Sequence, residues 1–319
     1  MRKLSEDTIG KSDIDRLITW LGTYPQLTQG KVTREFEQMW ADWLGTKYVV
    51  FVNSGSSANL LMIYSLMQLG YIERGDQVVV PALSWSTDLS PVIQLGLEPL
   101  LCDCNLDNLA VDTSDVERLF DTYHPKVLIL VSVLGLVPDM QEIISLCKRY
   151  NVVLIEDVCE SIGSEYNNKK LGTFGLMSSF STFFGHHIST IEGGIICTNN
   201  KKIYDMLKAL RSHGWSRDLN NQEQKRLKSK WGVSNFNDLY TFYYPGFNLR
   251  STDLQAFIGL GQLDKINDII NKREHNYNLY NKHIHNDYWK PSVYDNRYVS
   301  NFAYPIIHPK KKEIVDELR

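Results

Sequence analysis

The sequence predicts an α/β fold, a mostly parallel sheet covered by helices on both faces. Two observations carry this. Short runs that are apolar at nearly every position recur along the chain, as strands buried on both sides require. Amphipathic segments of helical length separate them, which is the alternation of a sheet flanked by helices. In such a sheet ligands sit at the C-terminal ends of the strands. No internal repeat of roughly 20–50 residues points to another architecture.

In order, the strand-like runs are YVVFV (48–52), QVVVP (77–81), PLLCD (99–103), KVLILV (126–131), VVLIE (152–156), FSTFF (180–184) and GIICT (194–198). The segments 56–70, 114–122 and 139–150 have helical amphipathicity. NNKK (167–170) reads as a turn. From 216 to 240 the chain is polar and poorly periodic, which predicts a long surface excursion able to act as a lid. The stretch 252–287 has the spacing of one long helix, and FAYPII (302–307) reads as a single strand. KKKEIVDELR at the end reads as the first turns of a helix. The expected division is a large α/β domain over 1–245 and a smaller second domain over 246–319.

The chain has 319 residues, with 34 Lys and Arg against 37 Asp and Glu and a net charge of -3. That balance gives no electrostatic reason to bind nucleic acid or an anionic membrane. The start, MRKLSEDTIGKSD, has no apolar stretch behind its charges, and the longest apolar run, VLILVSVLGLV (127–137), is too short to span a bilayer. A soluble, cytoplasmic protein is expected. The five cysteines, an odd number in a chain this long, read as buried thiols. Cys102 and Cys104 have no His or further Cys clustered beside them, so no metal site is expected.

Three segments carry chemistry. Asn53-Ser54-Gly55-Ser56-Ser57-Ala58-Asn59 follows a strand and opens a helix, where free backbone N–H groups can hold a phosphate; small residues there can equally be a plain helix cap. Asp157 ends the strand VVLIE, where a carboxylate in a dry crevice could keep a pyridinium nitrogen protonated, or could cap a helix. The third, FSTFFGHHISTIEGGIICT (180–198), is a strand, a loop with two adjacent histidines, and another strand.

Taken together, TQGKVTREFEQ (28–38), NSGSSANLL (53–61), GDQVVVPALSWST (75–87), IEDVCES (155–161), GTFG (172–175), the HHISTIEGG loop and YPGFNLRSTDLQAFIGLGQL (244–263) resemble the DegT-like family of sugar aminotransferases. The resemblance implies a fold type I, aminotransferase-like enzyme that uses pyridoxal 5'-phosphate and acts on nucleotide-linked ketosugars. It implies that Gly55, Ser56, Ser57 and Ser181 hold the cofactor phosphate, with Asn248 reaching in from a neighbouring subunit. Asp157 would pair with the pyridine nitrogen, Trp85 would stack on the ring, and Glu160 would lie near the phenolic oxygen. Arg250 matches an arginine suited to a carboxylate, and His213, Trp215 and Arg217 border the lid where the sugar nucleotide would bind. The active unit would be at least a homodimer with shared sites.

One position departs from the family pattern. The aminotransferases carry a lysine six residues before Glu-Gly-Gly and link the cofactor to it covalently; here that residue is His186. An imidazole cannot make that link, but with an unperturbed pKa of about 6.5 it can act as a base near neutral pH. This replacement is similar to the deoxysugar 3-dehydratases of the same family. It implies that pyridoxamine phosphate is held without covalent attachment, that His186 moves a proton while the hydroxyl on carbon 3 of a 4-keto-6-deoxyhexose leaves, and that glutamate regenerates the amine. GDP-4-keto-6-deoxymannose is the first substrate expected. The alternatives are an aminotransferase, disfavoured by the missing lysine; an iron–sulphur dehydrase, disfavoured because no cysteine follows Cys197; and a noncatalytic sugar-nucleotide binder. Relatives of the family continue past Arg319, so the second domain is expected to be incomplete.

Overall fold

A computed structural model describes residues 6–285 and 288–318. The first five residues of the charged start, residues 286–287 of the long predicted helix, and Arg319 lie outside the described residues. Two helices, α1 (Lys11–Leu21) and α2 (Lys31–Leu44), lead into β1 (Tyr48–Val52) and α3 (Gly55–Gln68). Then come β2 (Gln77–Pro81), α4 (Ser86–Gln94), β3 (Glu98–Cys102), α5 (Thr113–Tyr123), β4 (Val127–Val131), α6 (Met140–Tyr150) and β5 (Val153–Asp157). A hairpin of β6 (Glu165–Tyr166) and β7 (Lys169–Lys170) precedes β8 (Met177–Ser181), β9 (Gly194–Thr198) and α7 (Lys201–Arg211). Helices α8 (Asn221–Trp231), α9 (Asp253–Leu263) and α10 (Ile266–His283), strand β10 (Arg297–Tyr298) and α11 (Lys311–Leu318) complete the chain.

The main sheet has seven strands in the order β1-β9-β8-β5-β4-β2-β3, and only β9 runs against its neighbours. The C-terminal ends of β1, β5 and β8 therefore meet the start of β9 along one edge of the sheet. Gly194 is the register partner of both Val52 and Ser181. Two apolar layers cover the faces: one includes Phe36, Trp40, Phe51 and Phe180, the other Leu61, Met62, Val80 and Ile129.

The motifs dock on one another through buried carboxylates. Asp253 at the start of α9 accepts N–H bonds from Gly30 (2.7 Å), Val32 (3.1 Å) and Thr33 (2.9 Å), capping α2 from a distant part of the chain. Glu156 in β5 accepts from Gly172 (2.8 Å), Phe174 (2.8 Å) and Gly175 (2.6 Å), which folds the GTFG segment over the sheet.

Four predicted elements differ. The strand read at 180–184 lies at Met177–Ser181, and Phe183 and Phe184 are exposed in the loop beyond it. The single helix read over 252–287 is two, broken at Asp264 and Lys265, where Lys265 Nζ turns to Asp13 (2.7 Å) and the Thr8 carbonyl (3.0 Å). Residues 302–307 form no strand; at their start Arg273 takes the carbonyls of Asn301 (3.0 Å) and Phe302 (3.2 Å), and Asn301 Nδ2 that of Ala303 (3.0 Å). The segment 216–240 contains α8, capped by the Asn220 side chain and ended by Gly232, with Leu227 as its buried anchor. The NNKK turn is as read, with Asn167 and Asn168 both in the left-handed region, as a tight hairpin requires. No helix among the described residues is long and apolar enough to cross a membrane.

Candidate active site

The anion loop is built by the end of β1 and the start of α3. Ser54 caps the helix, its hydroxyl accepting from Ser57 N (3.1 Å), and the first intrahelical bond runs from Ala58 N to Ser54 O (3.1 Å). The amides of Gly55 and Ser56 thus stand at the helix mouth, where backbone donors and the helix dipole favour an anion. Ser57 is already engaged in the cap, its hydroxyl 3.0 Å from that of Ser54. Two glycines make the loop possible by close approach. A Cβ on Gly194 would lie 2.0 Å from the Ser54 carbonyl oxygen, and one on Gly55 would lie 2.8 Å from Ser181 Cβ. The Glu-Gly-Gly and Asn-Ser-Gly-Ser motifs are two sides of one contact, with Ser181 beside it.

Asp157 lies at the same edge, with its side chain buried. Its Oδ1 accepts from Cys159 N (2.9 Å) and its Oδ2 from Asn59 Nδ2 (2.6 Å), one helical turn beyond Gly55. No helix follows β5 directly, so Asp157 caps none. The same Asn59 amide also donates to Asp88 Oδ1 (3.2 Å), on α4. Burial and the neighbouring Asp157 hold the Asp88 carboxyl well above the usual carboxylate range. The sequence reading names Asn59 only as the last residue of the anion loop and does not single out Asp88.

The histidine loop joins β8 to β9. His186 N donates to Phe183 O (2.9 Å), and the ring packs against Phe302 with centroids 5.2 Å apart. Burial pushes the imidazole down to about 4; Arg273 acts in the same direction and Asp157 opposes them. The neutral, proton-accepting form therefore dominates at neutral pH and well below it. His187 is fully buried, its ring 6.3 Å from that of Phe302 and its Nε2 3.0 Å from the Ser300 carbonyl oxygen. Glu160 accepts from Leu134 N (2.9 Å), and the Leu134 carbonyl accepts from Phe302 N (2.9 Å) and Asn301 Nδ2 (2.8 Å). Glu160 therefore also braces the segment that covers His186.

Trp85 stands at the start of α4 with 71% of its surface exposed, too much for a core aromatic. Arg250 pairs through its backbone with Val52, placing it beside the anion loop, and its Nε donates to Asn248 Oδ1 (3.1 Å). Asn248 itself is exposed. His213, Trp215 and Arg217 form a separate cluster: Trp215 stacks on Phe242 (5.1 Å), His213 meets both rings edge-on, and Arg217 lies over Trp215 at 4.7 Å. The rings of this cluster meet Phe242 and the lid side, and the backbone N–H of His213 donates to the Phe247 carbonyl (2.6 Å), next to Asn248; among the described residues no side-chain contact joins the cluster to Asp157 or His186. Lys169 and Lys170 are engaged elsewhere, over the rings of Phe174 and Trp43.

These residues fit a phosphorylated pyridine cofactor on their own geometry. Backbone donors and Ser181 meet at a helix mouth that any side chain at Gly55 would fill, a buried carboxylate stands behind it, and His186 Nδ1 is sealed from solvent with no partner among the described residues. The sequence matches the DegT/DnrJ/EryC1/StrS aminotransferase family over residues 8–319. The chain belongs to this family. It is 37% identical over 251 residues to GDP-4-keto-6-deoxy-D-mannose 3-dehydratase of Escherichia coli O55:H7, a match covering 78% of this chain and 64% of that protein. It is 32% identical over 256 residues to GDP-perosamine synthase of Caulobacter vibrioides, covering 80% and 61%. The chain thus spans a little under two thirds of these curated relatives. Among solved structures, Escherichia coli GDP-4-keto-6-deoxy-D-mannose-3-dehydratase with bound hydrated PLP is similar with a TM-score of 0.86 at 30% identity, over 100% of this chain and 82% of that one. The seven-stranded, helix-flanked sheet is the aminotransferase-like fold.

Proposed function

We propose that the chain is a pyridoxamine-phosphate-dependent 3-dehydratase of a nucleotide-linked 4-keto-6-deoxyhexose, GDP-4-keto-6-deoxymannose first, with glutamate as co-substrate. The observation that carries this is His186 in the loop between β8 and β9, where the charge of Asp157 acts on it and an aminotransferase of this family needs a lysine, while the nearby lysines of β7 are held elsewhere. When bound, the cofactor supplies an amine for the 4-keto carbon and an electron sink for loss of the hydroxyl on carbon 3. Gly55 and Ser56 amides and the Ser181 hydroxyl bind the phosphate, and Asp157 holds the pyridine nitrogen in its protonated form. Trp85 covers the ring, and Glu160 lies toward the phenolic oxygen. His186, neutral through burial, accepts a proton from the 4' carbon of the cofactor. Arg250 receives the carboxylate of glutamate, and His213, Trp215 and Arg217 bind the sugar nucleotide. Asn248 acts across the boundary of a homodimer. The product is a 4-keto-3,6-dideoxy sugar.

A second reading, transamination of the same class of substrate, is favoured by the similarity to GDP-perosamine synthase at 32% identity. The test separates them. Protein supplied with pyridoxal phosphate and glutamate is mixed with GDP-, dTDP-, CDP- and UDP-4-keto-6-deoxyhexoses and the products are weighed by mass spectrometry. Loss of the 3-hydroxyl with ammonia release is expected; an amino sugar establishes transamination instead. His186→Lys is expected to lose dehydration and to bind the cofactor covalently, and dehydration retained in that variant overturns the reading. A noncatalytic binder would leave the pyridoxal spectrum unchanged on adding glutamate.

A further inference from the structure

Two buried carboxyls stand behind the anion loop where the family pattern needs one. Asp88 is 1% exposed and Asp157 is 5% exposed, and a single amide, Asn59 Nδ2, donates one hydrogen to each. Asp88 Oδ2 is sealed from solvent and finds no donor among the described residues. The charged groups acting most strongly on Asp88, namely Asp157 and Glu160, are both acidic. Two adjacent anions with one orphaned oxygen are untenable in a dry site; one proton between them gives that oxygen something to donate and leaves a single negative charge. Asp88 also has a place on the backbone: its N–H donates to the Trp85 carbonyl (3.1 Å), so both residues belong to the first turn of α4.

We propose that Asp88 is a positioning residue for the cofactor site, a neutral carboxyl that donates a hydrogen bond to Asp157 and fixes, with Asn59, the orientation of the one charge presented to a pyridine nitrogen. The same bond anchors the turn that carries Trp85, so it sets the spacing between the residue that covers the ring and the residue that pairs with its nitrogen. The proposal rests on the reading of Asp157 given above. It predicts that charge at residue 88 is dispensable and that its hydrogen-bond donor is not.

The test compares Asp88→Asn, which keeps a neutral donor of the same shape, with Asp88→Leu, which removes it. Cofactor affinity is measured by fluorescence titration with pyridoxal phosphate and with pyridoxamine phosphate, and the ring nitrogen is followed by 15N NMR of labelled cofactor. Asp88→Asn is expected to bind within about threefold of the unaltered protein and to leave the nitrogen signal in place. Asp88→Leu is expected to weaken binding by about tenfold or more, since it leaves Asp157 and Asn59 without a buried hydrogen-bond partner, and to shift the signal. Equal weakening in both variants, or none in Asp88→Leu, overturns the proposal. Infrared spectra of the cofactor-free protein with 13C-labelled aspartate provide a reading that needs no cofactor: a protonated carboxyl band at neutral pH that disappears in folded Asp88→Asn is expected, and its absence from the unaltered protein is fatal to the idea. Asp157→Ala that binds cofactor normally would instead sink the reading on which the proposal rests.

Discussion

At His186 the decisive quantity is burial. An exposed histidine exchanges its proton near pH 6.5, but removal from water disfavours the imidazolium, and this one is pushed down to about 4. A base must be unprotonated to act, so the acid limb of the single-turnover rate is expected near pH 4, and a limb near 6.5 would contradict the assignment. The same burial couples to stability. Between about 6.5 and about 4 the unfolded chain holds a proton that the native His186 refuses, so stability is complete above the window and falls as pH falls through it. For a group this buried the loss is on the order of 3 kcal/mol. Fully buried His187 titrates low as well and adds to the slope of the unaltered protein. The difference in urea midpoint between the unaltered protein and His186→Asn, followed from pH 7 to about pH 4, isolates the contribution of His186. A constant difference across that range would show that residue 186 does not carry the linkage.

At the scale of elements, close approach and capping decide what can be changed. Gly194→Ala would drive a methyl group into the Ser54 carbonyl oxygen, both of them backbone-fixed, so β9 must part from the anion loop. The expected cost is about 3 kcal/mol, from denaturant unfolding, with loss of phosphate affinity in the folded fraction. Asp253→Ala would leave the amides of Gly30, Val32 and Thr33 without their acceptor and remove the cap of α2; about 2–4 kcal/mol is expected, with a modest effect on cofactor binding. These contacts also show what the sequence could reveal. YVVFV, QVVVP and GIICT match strands β1, β2 and β9 end to end, because a strand covered on both faces is apolar at almost every position. MSSFS does not read as a strand because three of its five residues are serines, one of them, Ser178, donating to the Gly172 carbonyl (2.6 Å), while the neighbouring Phe183 and Phe184, which suggest one, face outward. The break after Leu263 depends on a lysine reaching Asp13, 252 residues away, which no local periodicity encodes. Asp157 is singled out by its place at the end of β5, and His186 by the family pattern around Glu192-Gly193-Gly194. The partnership of Asp157 and Asp88 is not legible, since Asn59 joins them across 98 and 29 residues of chain.

At the scale of the whole molecule, the proposed role of Asn248 is to act across a subunit boundary. Within its own subunit the residue is exposed and its side-chain oxygen accepts from Arg250, beside the anion loop, so it can face a second copy docked against that surface. A closed two-fold pairing would present the same surface from both partners and create two equivalent sites. Mixing two disabled chains distinguishes the arrangements. On the proposed mechanism His186→Asn removes the base and Asn248→Ala the group that would reach the phosphate, so each variant alone should be nearly inactive. If Asn248 crosses the boundary, a mixed dimer has one site with both groups intact and one with neither. After subunits exchange at equal amounts, half the dimers are mixed and half of their sites are restored, giving about a quarter of the unaltered activity. If Asn248 serves its own subunit, every site in the mixed dimer lacks one group and activity stays at the level of the separate variants. Sedimentation of the mixture under the assay conditions must show a dimer for the first outcome, and recovery of a quarter of the activity by a sedimenting monomer would refute the shared site.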